Sequence, residues 1–250
     1  FLAKELGFAT YTENSLDAVS DRSFILDVLF ILSALTLDFS RYAEDFIIFA
    51  SYEFGFFILT DTISTSSSLM PQKRNPDYLE LIRGSAGKIA GYYQEMFLIL
   101  KGLPFTYNKD LQGDKIPLKL GMEKTGEIIE VFDIVLNEIK INSRAAQEKI
   151  SDYLYATDLV DYLTDKGMPF REAYGIISEI VKFTEQHNKK LSSLTIAEYK
   201  KFNKKINKDV YTIFNPLHSV KKKKTDGSTH PEKVKQQIKQ AQKILKNYKI

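Results

Sequence analysis

The fold turns on LDAVSDRSFILDVLFILSALTLDFSRYAEDFIIFAS, residues 16–51, a run with neither Gly nor Pro. Asn14 and Ser15 stand just ahead of Leu16 and offer side-chain oxygens that would cap a first helical turn. Val19, Phe24, Val28, Ile31, Leu35, Tyr42, Phe46 and Phe49 recur mostly three to five residues apart, with one seven-residue step equal to two turns. Leu29, Leu32 and Ile48 widen that stripe beyond a single face. A helix so apolar on most of its sides is one packed inside a bundle or against another subunit. About 35 residues at the helical rise make a rod of roughly 50 Å, far longer than the average helix. The class read from this stretch is all-α, a long-helix bundle.

Outward from it, Tyr52 to Thr62 is short and aromatic, with Gly55 breaking the helical pattern. A serine-rich loop, Ser64 to Asp77, leads into a second helix: Asn75 reads as its cap, Pro76 as its first residue, and Asp77 and Glu80 favour its positive end. That helix is expected to run to Lys101 and stop at Gly102 and Pro104. Gly84, Gly87 and Gly91 leave a bare strip along it. Each costs about 1 kcal/mol against Ala, so another helix is expected to pack very close there. A second polar loop, Tyr107 to Lys115, precedes a third helix expected over Met122 to Ile141. From 143 onward the helices shorten, with breaks at Gly167-Met168-Pro169, Asn188, Asn215-Pro216 and Asp226-Gly227, and a helix begins near Ile196. Residues 1–142 thus read as bundle and 143–250 as a small helical C-terminal domain. Sustained strand-type alternation is missing throughout.

A chain of 250 residues, 44% hydrophobic and 27% charged, can bury a substantial core. With no cysteine, disulfides and thiolate-held metal are excluded, which fits a reducing, cytoplasmic setting. The net charge of +3 is uneven: Ser219 to Ile250 holds ten Lys against Asp226 and Glu232, so 10 − 2 = +8, leaving −5 elsewhere. Lys233, Lys235, Lys239, Lys243 and Lys246 lie among Gln and Ala on a helical pattern, and a solvated face explains them better than nucleic acid. Phe1 to Glu5 shows no signal peptide. The most apolar segment, Phe24 to Leu37, contains Asp27 and Ser33 and falls short of the roughly 18 residues of a membrane span, so no membrane role is expected. The abrupt start at Phe1 reads as a piece of something longer.

The chemistry is placed in the two polar loops. Lys73 and Lys115 supply point charges, and Asn75 with the helix start behind it supplies amide donors, a combination suited to anionic groups. Ser67 is one of three consecutive serines, Ser66 to Ser68. A free hydroxyl is a poor base and needs a partner or a lowered pKa before it can take a proton from carbon. Residue types alone leave the loop open to a plain capping role.

Ser67-Ser68-Leu69-Met70-Pro71-Gln72-Lys73-Arg74-Asn75-Pro76 resembles the signature loop of the fumarase/aspartase superfamily. Tyr107-Asn108-Lys109-Asp110-Leu111-Gln112, followed by Gly113-Asp114-Lys115, is similar to the argininosuccinate lyase family within it. Asn14 to Arg22, Leu79 to Gly84, Lys101 to Pro104, Ala156 to Leu159 and Pro169 to Ala173 continue the likeness along essentially the whole chain. The resemblance implies elimination of arginine from argininosuccinate to give fumarate, without metal or cofactor, in a homotetramer whose helical core this bundle joins. It implies that Ser67 removes the Cβ proton, that Lys73 stabilises the aci-carboxylate and that Glu80 pairs with a catalytic histidine. Asn75, Tyr107, Gln112 and Lys115 match substrate-binding positions, and the family draws its loops from different subunits. Two departures stand out: Ser66 replaces a usual Gly, where a positive φ would strain it, and Gly113 replaces a usual Glu. His187, His218 and His230 match no catalytic histidine, and the family's N-terminal domain has no counterpart here, so these 250 residues alone are expected not to turn over. A related lyase acting on another succinyl amine, and a non-enzymatic crystallin-like relative, are the competing readings.

Overall fold

The computed structural model describes residues 1–248 as two compact units, 1–149 and 150–248. In chain order the helices are α1 (Leu2–Glu5), α2 (Ser15–Ser20), α3 (Ser23–Ala50), α4 (Asp77–Leu100), α5 (Lys115–Glu138), α6 (Ser143–Glu148), α7 (Ala156–Asp165), α8 (Phe170–Gln186), α9 (Ile196–Phe202), α10 (Pro216–Lys222) and α11 (Pro231–Asn247). Four two-residue strands, β1 (Phe57–Ile58), β2 (Thr65–Ser66), β3 (Arg74–Asn75) and β4 (Lys140–Ile141), form two antiparallel pairs, β1 with β4 and β2 with β3. The all-α reading holds. The division of the chain falls at 149/150, against 142/143 in the sequence. Residues 142–149 are tied to the first unit, Asn142 N–H donating to Phe56 O at 2.7 Å and Lys149 Nζ to Glu53 O.

The opening run is two helices rather than one. Asn14 caps α2 as expected, its Oδ1 accepting from Leu16 N at 2.9 Å and Asp17 N at 3.1 Å. The chain then turns extended at Asp21, whose carboxylate accepts from Ser23 N–H at 3.0 Å and starts α3 afresh. Of α3, the line Ile25, Leu29, Leu32, Thr36, Phe39, Ala43, Phe46, Ala50 faces the chain's own core, in alternating steps of four and three. That is the seam spacing of packed antiparallel helices. Most of the stripe read from sequence is the other face: Phe24, Ile31, Leu35 and Tyr42 stay exposed. Periodicity could not choose between two apolar faces on one helix. By length and mean hydropathy (1.8 in its most apolar window) α3 is also long enough to cross a bilayer, which the fourteen-residue segment Phe24 to Leu37 understated. Its second half carries Asp38, Arg41, Glu44 and Asp45, and Glu44 pairs with Arg83 of α4.

α3, α4 and α5 run up, down and up. At one end Leu59, Ile63, Leu79, Ile82, Phe132 and Val135 are buried together, with Phe132 edge-on to Phe39 at 4.9 Å between ring centres. At the other end Ile25, Leu29 and Met96 close the core. α5 starts at Lys115, seven residues before the start read from sequence, because the turn Lys109–Asp114 leads straight into it. It approaches α3 closely: a Cβ added to Gly121 would lie 2.7 Å from Leu29 Cδ2. Gly121→Ala should therefore lower stability by about 1–3 kcal/mol through overpacking, read as a lower denaturation midpoint. The glycine strip of α4 is a different case. A Cβ added at Gly84, Gly87 or Gly91 would meet nothing within 4 Å, so among the described residues no helix covers them.

In the second unit Leu159, Leu163, Ile177, Ile180, Leu191 and Tyr199 form the centre of the core, Tyr199 Oη donating to Leu191 O at 2.7 Å. The expected breaks are all present: Gly167 at φ +79°, Asn188 at φ +48°, Asn215 capping α10 with Pro216 behind it, and Gly227 at φ +80°. Thr195 and Glu198 close a capping box on α9.

Candidate active site

The serine loop is a hairpin. Thr65 pairs with Asn75 and Ser66 with Arg74, closing residues 67–73 into a tip. Arg74 fastens its base, Nη1 donating to Leu59 O at 2.7 Å and Nη2 pairing with Asp61 at 2.9 Å. Thr65 Oγ1 bonds Asp77, and Ser64 Oγ donates to Thr60 O at 2.7 Å. Ser66 sits in an extended strand, and Asn188 is the only described non-glycine residue with positive φ, so the expected strain at Ser66 does not arise. Inside the tip, the half-buried Ser67 presents its hydroxyl oxygen to two backbone donors, Leu69 N–H and Met70 N–H, each at 3.2 Å. This is a serine turn that folds the tip and fixes the position of the hydroxyl oxygen.

Asn75 is not the cap of α4. The strand pairing holds it extended, Pro76 takes the cap position at φ −82° with no side-chain bond, and the helix proper begins at Asp77. Its carboxamide is therefore free of capping duty, with one long contact to Thr65 Oγ1 at 3.5 Å. Lys73 and Glu80 are exposed and make no ion pair among the described residues. Ser67, Lys73, Asn75 and Glu80 thus gather at the N-terminal end of α4.

Tyr107, Gln112 and Lys115 gather at its other end. Asn108 Nδ2 donates to Thr106 O at 3.1 Å and folds the loop, Leu111 is buried beneath it, and Tyr107 is half exposed. Gly113 has an ordinary φ, and a Cβ there would meet Ile99 Cδ1 at 3.3 Å, so the missing Glu side chain leaves close packing rather than a slack loop. Asp114, 3% exposed, takes two cations, Arg22 Nε on Oδ2 at 2.6 Å and Lys115 Nζ on Oδ1 at 2.9 Å. Burial pushes the Asp114 carboxyl up, but the bonds from Lys115 and Arg22 outweigh it and hold it below the ordinary carboxylate value. Arg22 and Asp114 were not singled out from sequence. Ninety-two residues separate them, and no local spacing announces the pair. A cleft of about 190 Å³ beside them is lined by Asp17, Ser20, Asp21 and Arg22 on one side and Leu103, Pro104, Phe105 and Thr106 on the other.

The two loops do not form one pocket in one chain. The 24 residues of α4 stand between them, a rise of about 36 Å. One end carries four of the seven predicted residues and the other three.

Elsewhere the chemistry is thin. His187 Nδ1 lies 2.8 Å from Phe183 O at the end of α8, and His230 Nδ1 accepts from Glu232 N at the start of α11. Among the described residues no group of three His, Asp or Glu could hold a metal. A cavity of about 420 Å³ lined by Val160, Phe170, Tyr174, Ile177 and Val181 holds none of the predicted site residues. Four of the ten Lys in the basic segment are paired among the described residues: Lys222 with Asp165, Lys223 with Asp158 and Asp161, Lys233 with Asp226 and Lys235 with Glu232.

Residues 1–91 match the family model described as Lyase, and residues 153–221 match Argininosuccinate lyase C-terminal. Argininosuccinate lyase of Caldicellulosiruptor bescii is 44% identical over 254 aligned residues, covering 100% of this chain and 54% of that protein. The enzyme of the same name from Schizosaccharomyces pombe is 40% identical over 95% of this chain and 52% of its own length. The chain spans about half the length of the curated relatives it matches. Among solved structures, EDDS lyase in complex with formate superposes with a TM-score of 0.79 at 23% identity, over 97% of this chain and 50% of that one. Class II fumarase from Schistosoma mansoni gives 0.65 at 18% identity, over 86% and 47%. At such identities these structures speak to the fold alone. With both models on one chain, and relatives of one name at 40% identity or more along nearly all of it, the chain belongs to the argininosuccinate lyase family.

Proposed function

We propose that the protein of which these residues are part cleaves argininosuccinate to arginine and fumarate by β-elimination, as a cytoplasmic homotetramer. Ser67, as the alkoxide, takes the Cβ proton on Oγ, the electron pair becomes the new C=C bond, and the C–N bond breaks toward the guanidino nitrogen, which takes a proton from a general acid contributed from outside these residues. Before that bond breaks, charge accumulates on the adjacent carboxylate as an aci-carboxylate. Lys73 supplies the fixed positive charge for it, which matters more in the transition state than in the ground state. Asn75 binds a carboxylate, and Tyr107, Gln112 and Lys115 hold the remainder of the substrate. Glu80, exposed and without an ion pair among the described residues, stands in the first turn of α4 and orients a catalytic histidine contributed from outside these residues.

The observation that carries this reading is the Ser67 hydroxyl, held by two backbone N–H groups in the same hairpin that presents Lys73 and Asn75. The homotetramer is supported by what the bundle leaves open. Phe30, Ile31 and Leu37 of α3, Leu81 and Leu98 of α4, and Ile129 and Leu136 of α5 are exposed apolar side chains, and the α4 glycine strip is bare. Faces of this extent mark association surfaces. Since α4 separates the two loops, one complete site takes them from different copies.

The test is fumarate release, followed by ultraviolet absorbance, with the full-length protein. Argininosuccinate should be turned over, and N-succinyl amines lacking the guanidino group should be poor substrates. Equal turnover of a plain succinyl amine would overturn the substrate assignment. No turnover of either would overturn the activity.

A further inference from the structure

We infer that Arg22 and Asp114 are positioning residues for Lys115: Asp114 tethers the Lys115 ammonium at the start of α5, while Arg22 neutralises Asp114 so that Lys115 keeps its charge for a substrate carboxylate. This rests on Lys115 being a substrate-binding residue. The geometry separates the two cations, each on its own carboxylate oxygen, Arg22 Nε on Oδ2 at 2.6 Å and Lys115 Nζ on Oδ1 at 2.9 Å. The three side chains differ in exposure in the way this division of labour requires: Asp114 at 5%, Arg22 at 18% and Lys115 at 80%. Arg22 and Asp114 are built into the protein, and only Lys115 faces solvent.

Charge decides why both are needed. A Lys115–Asp114 pair alone sums to zero and offers an incoming carboxylate nothing beyond the helix end. With Arg22 added the group sums to +1, and that charge resides on the exposed member. Arg22 is itself pinned, Nη1 donating to Asp21 O at 2.7 Å and Val19 O at 3.4 Å. It cannot follow Lys115 outward. Remove Asp114, and Lys115 becomes a flexible four-carbon stem whose ordering must be paid for at each binding event.

Steady-state kinetics of fumarate release by the full-length protein test this. Lys115→Met should raise KM for argininosuccinate and leave kcat within about threefold, the pattern of lost uniform binding. Arg22→Met should raise KM about tenfold with the same small change in kcat, and Arg22→Lys, which keeps the charge, should recover most of that loss. Combining Asp114→Asn with Lys115→Met should be no worse than Lys115→Met alone, because Asp114 acts through Lys115. Asp114→Asn, nearly the same shape, should also raise KM with folding retained by circular dichroism. Independent, multiplying effects of Asp114→Asn and Lys115→Met would overturn the inference while leaving Lys115 as a substrate residue. So would unfolding of both Arg22→Lys and Asp114→Asn, which would make the pair structural. If Lys115→Met leaves KM unchanged, the underlying reading falls and the inference with it.

Discussion

Ser67→Ala in the full-length protein is expected to cut turnover of argininosuccinate about 10³-fold, the usual scale of a lost general base, while the helices stay folded. The expectation is specific to one of three adjacent serines. Among the described residues, Ser67 is the one of them whose hydroxyl oxygen accepts hydrogen bonds, from Leu69 N–H and Met70 N–H. Ser66 is committed to the short strand facing Arg74, and Ser68 is exposed. Ser68→Ala is therefore the internal control and should retain activity close to the parent. The loop should survive loss of the Ser67 hydroxyl because its anchors lie at the base, in Arg74 with Asp61 and Leu59 and in Thr65 with Asp77. Circular dichroism and subunit assembly separate a lost base from a lost fold. Parent-like fumarate release by Ser67→Ala would remove Ser67 from the chemistry.

How much of this was legible beforehand differs from one residue to another, for physical reasons. Local chemistry was legible. Asn14 caps α2 as read, the break at Asn215-Pro216 and the helix start near Ile196 fall where Asn215 and Thr195 cap α10 and α9, and Gly167 and Gly227 terminate segments, because caps and positive-φ turns depend on a few neighbouring residues. The orientation of α3 was not, since a helix apolar all round has two candidate core faces and only the packing of α4 and α5 selects Ile25, Leu29 and Thr36. Asn75 was misplaced as a cap because the two-residue strand pair that holds it extended leaves no alternating pattern to read. The serine loop and the Tyr107–Lys115 loop were found through their resemblance to a family. Their geometry, with Ser67 receiving two amides and Lys115 tied to Asp114, came only with the fold. The Arg22–Asp114 pair needed three helices in place before it could be seen at all.

The separation of the loops predicts a second large effect. Ser67→Ala and Lys115→Met variants, the second assayed at argininosuccinate well below its raised KM so that both are impaired, should regain activity when mixed, unfolded together and allowed to reassemble. In one chain Ser67 and Lys115 lie beyond opposite ends of α4, whose 24 residues span about 36 Å, several times the length of a small substrate. No hinge within a continuous helix brings them together. If a site takes its serine loop from one copy and its lysine loop from another, random reassembly leaves both loops intact wherever two independent choices, each one in two, fall correctly. That is about a quarter of sites, the closed symmetry of a homo-oligomer making every site alike. At substrate well below the raised KM neither variant alone reaches that level, since every one of its sites carries the same defect. Mixing without unfolding should restore less, because copies buried against one another through the apolar faces of α3, α4 and α5 exchange slowly. Failure to recover activity, with reassembly confirmed by size, would mean that Ser67 and Lys115 serve a site within one chain or no common site. The length of α4 forbids the former, so Lys115 would then leave the site.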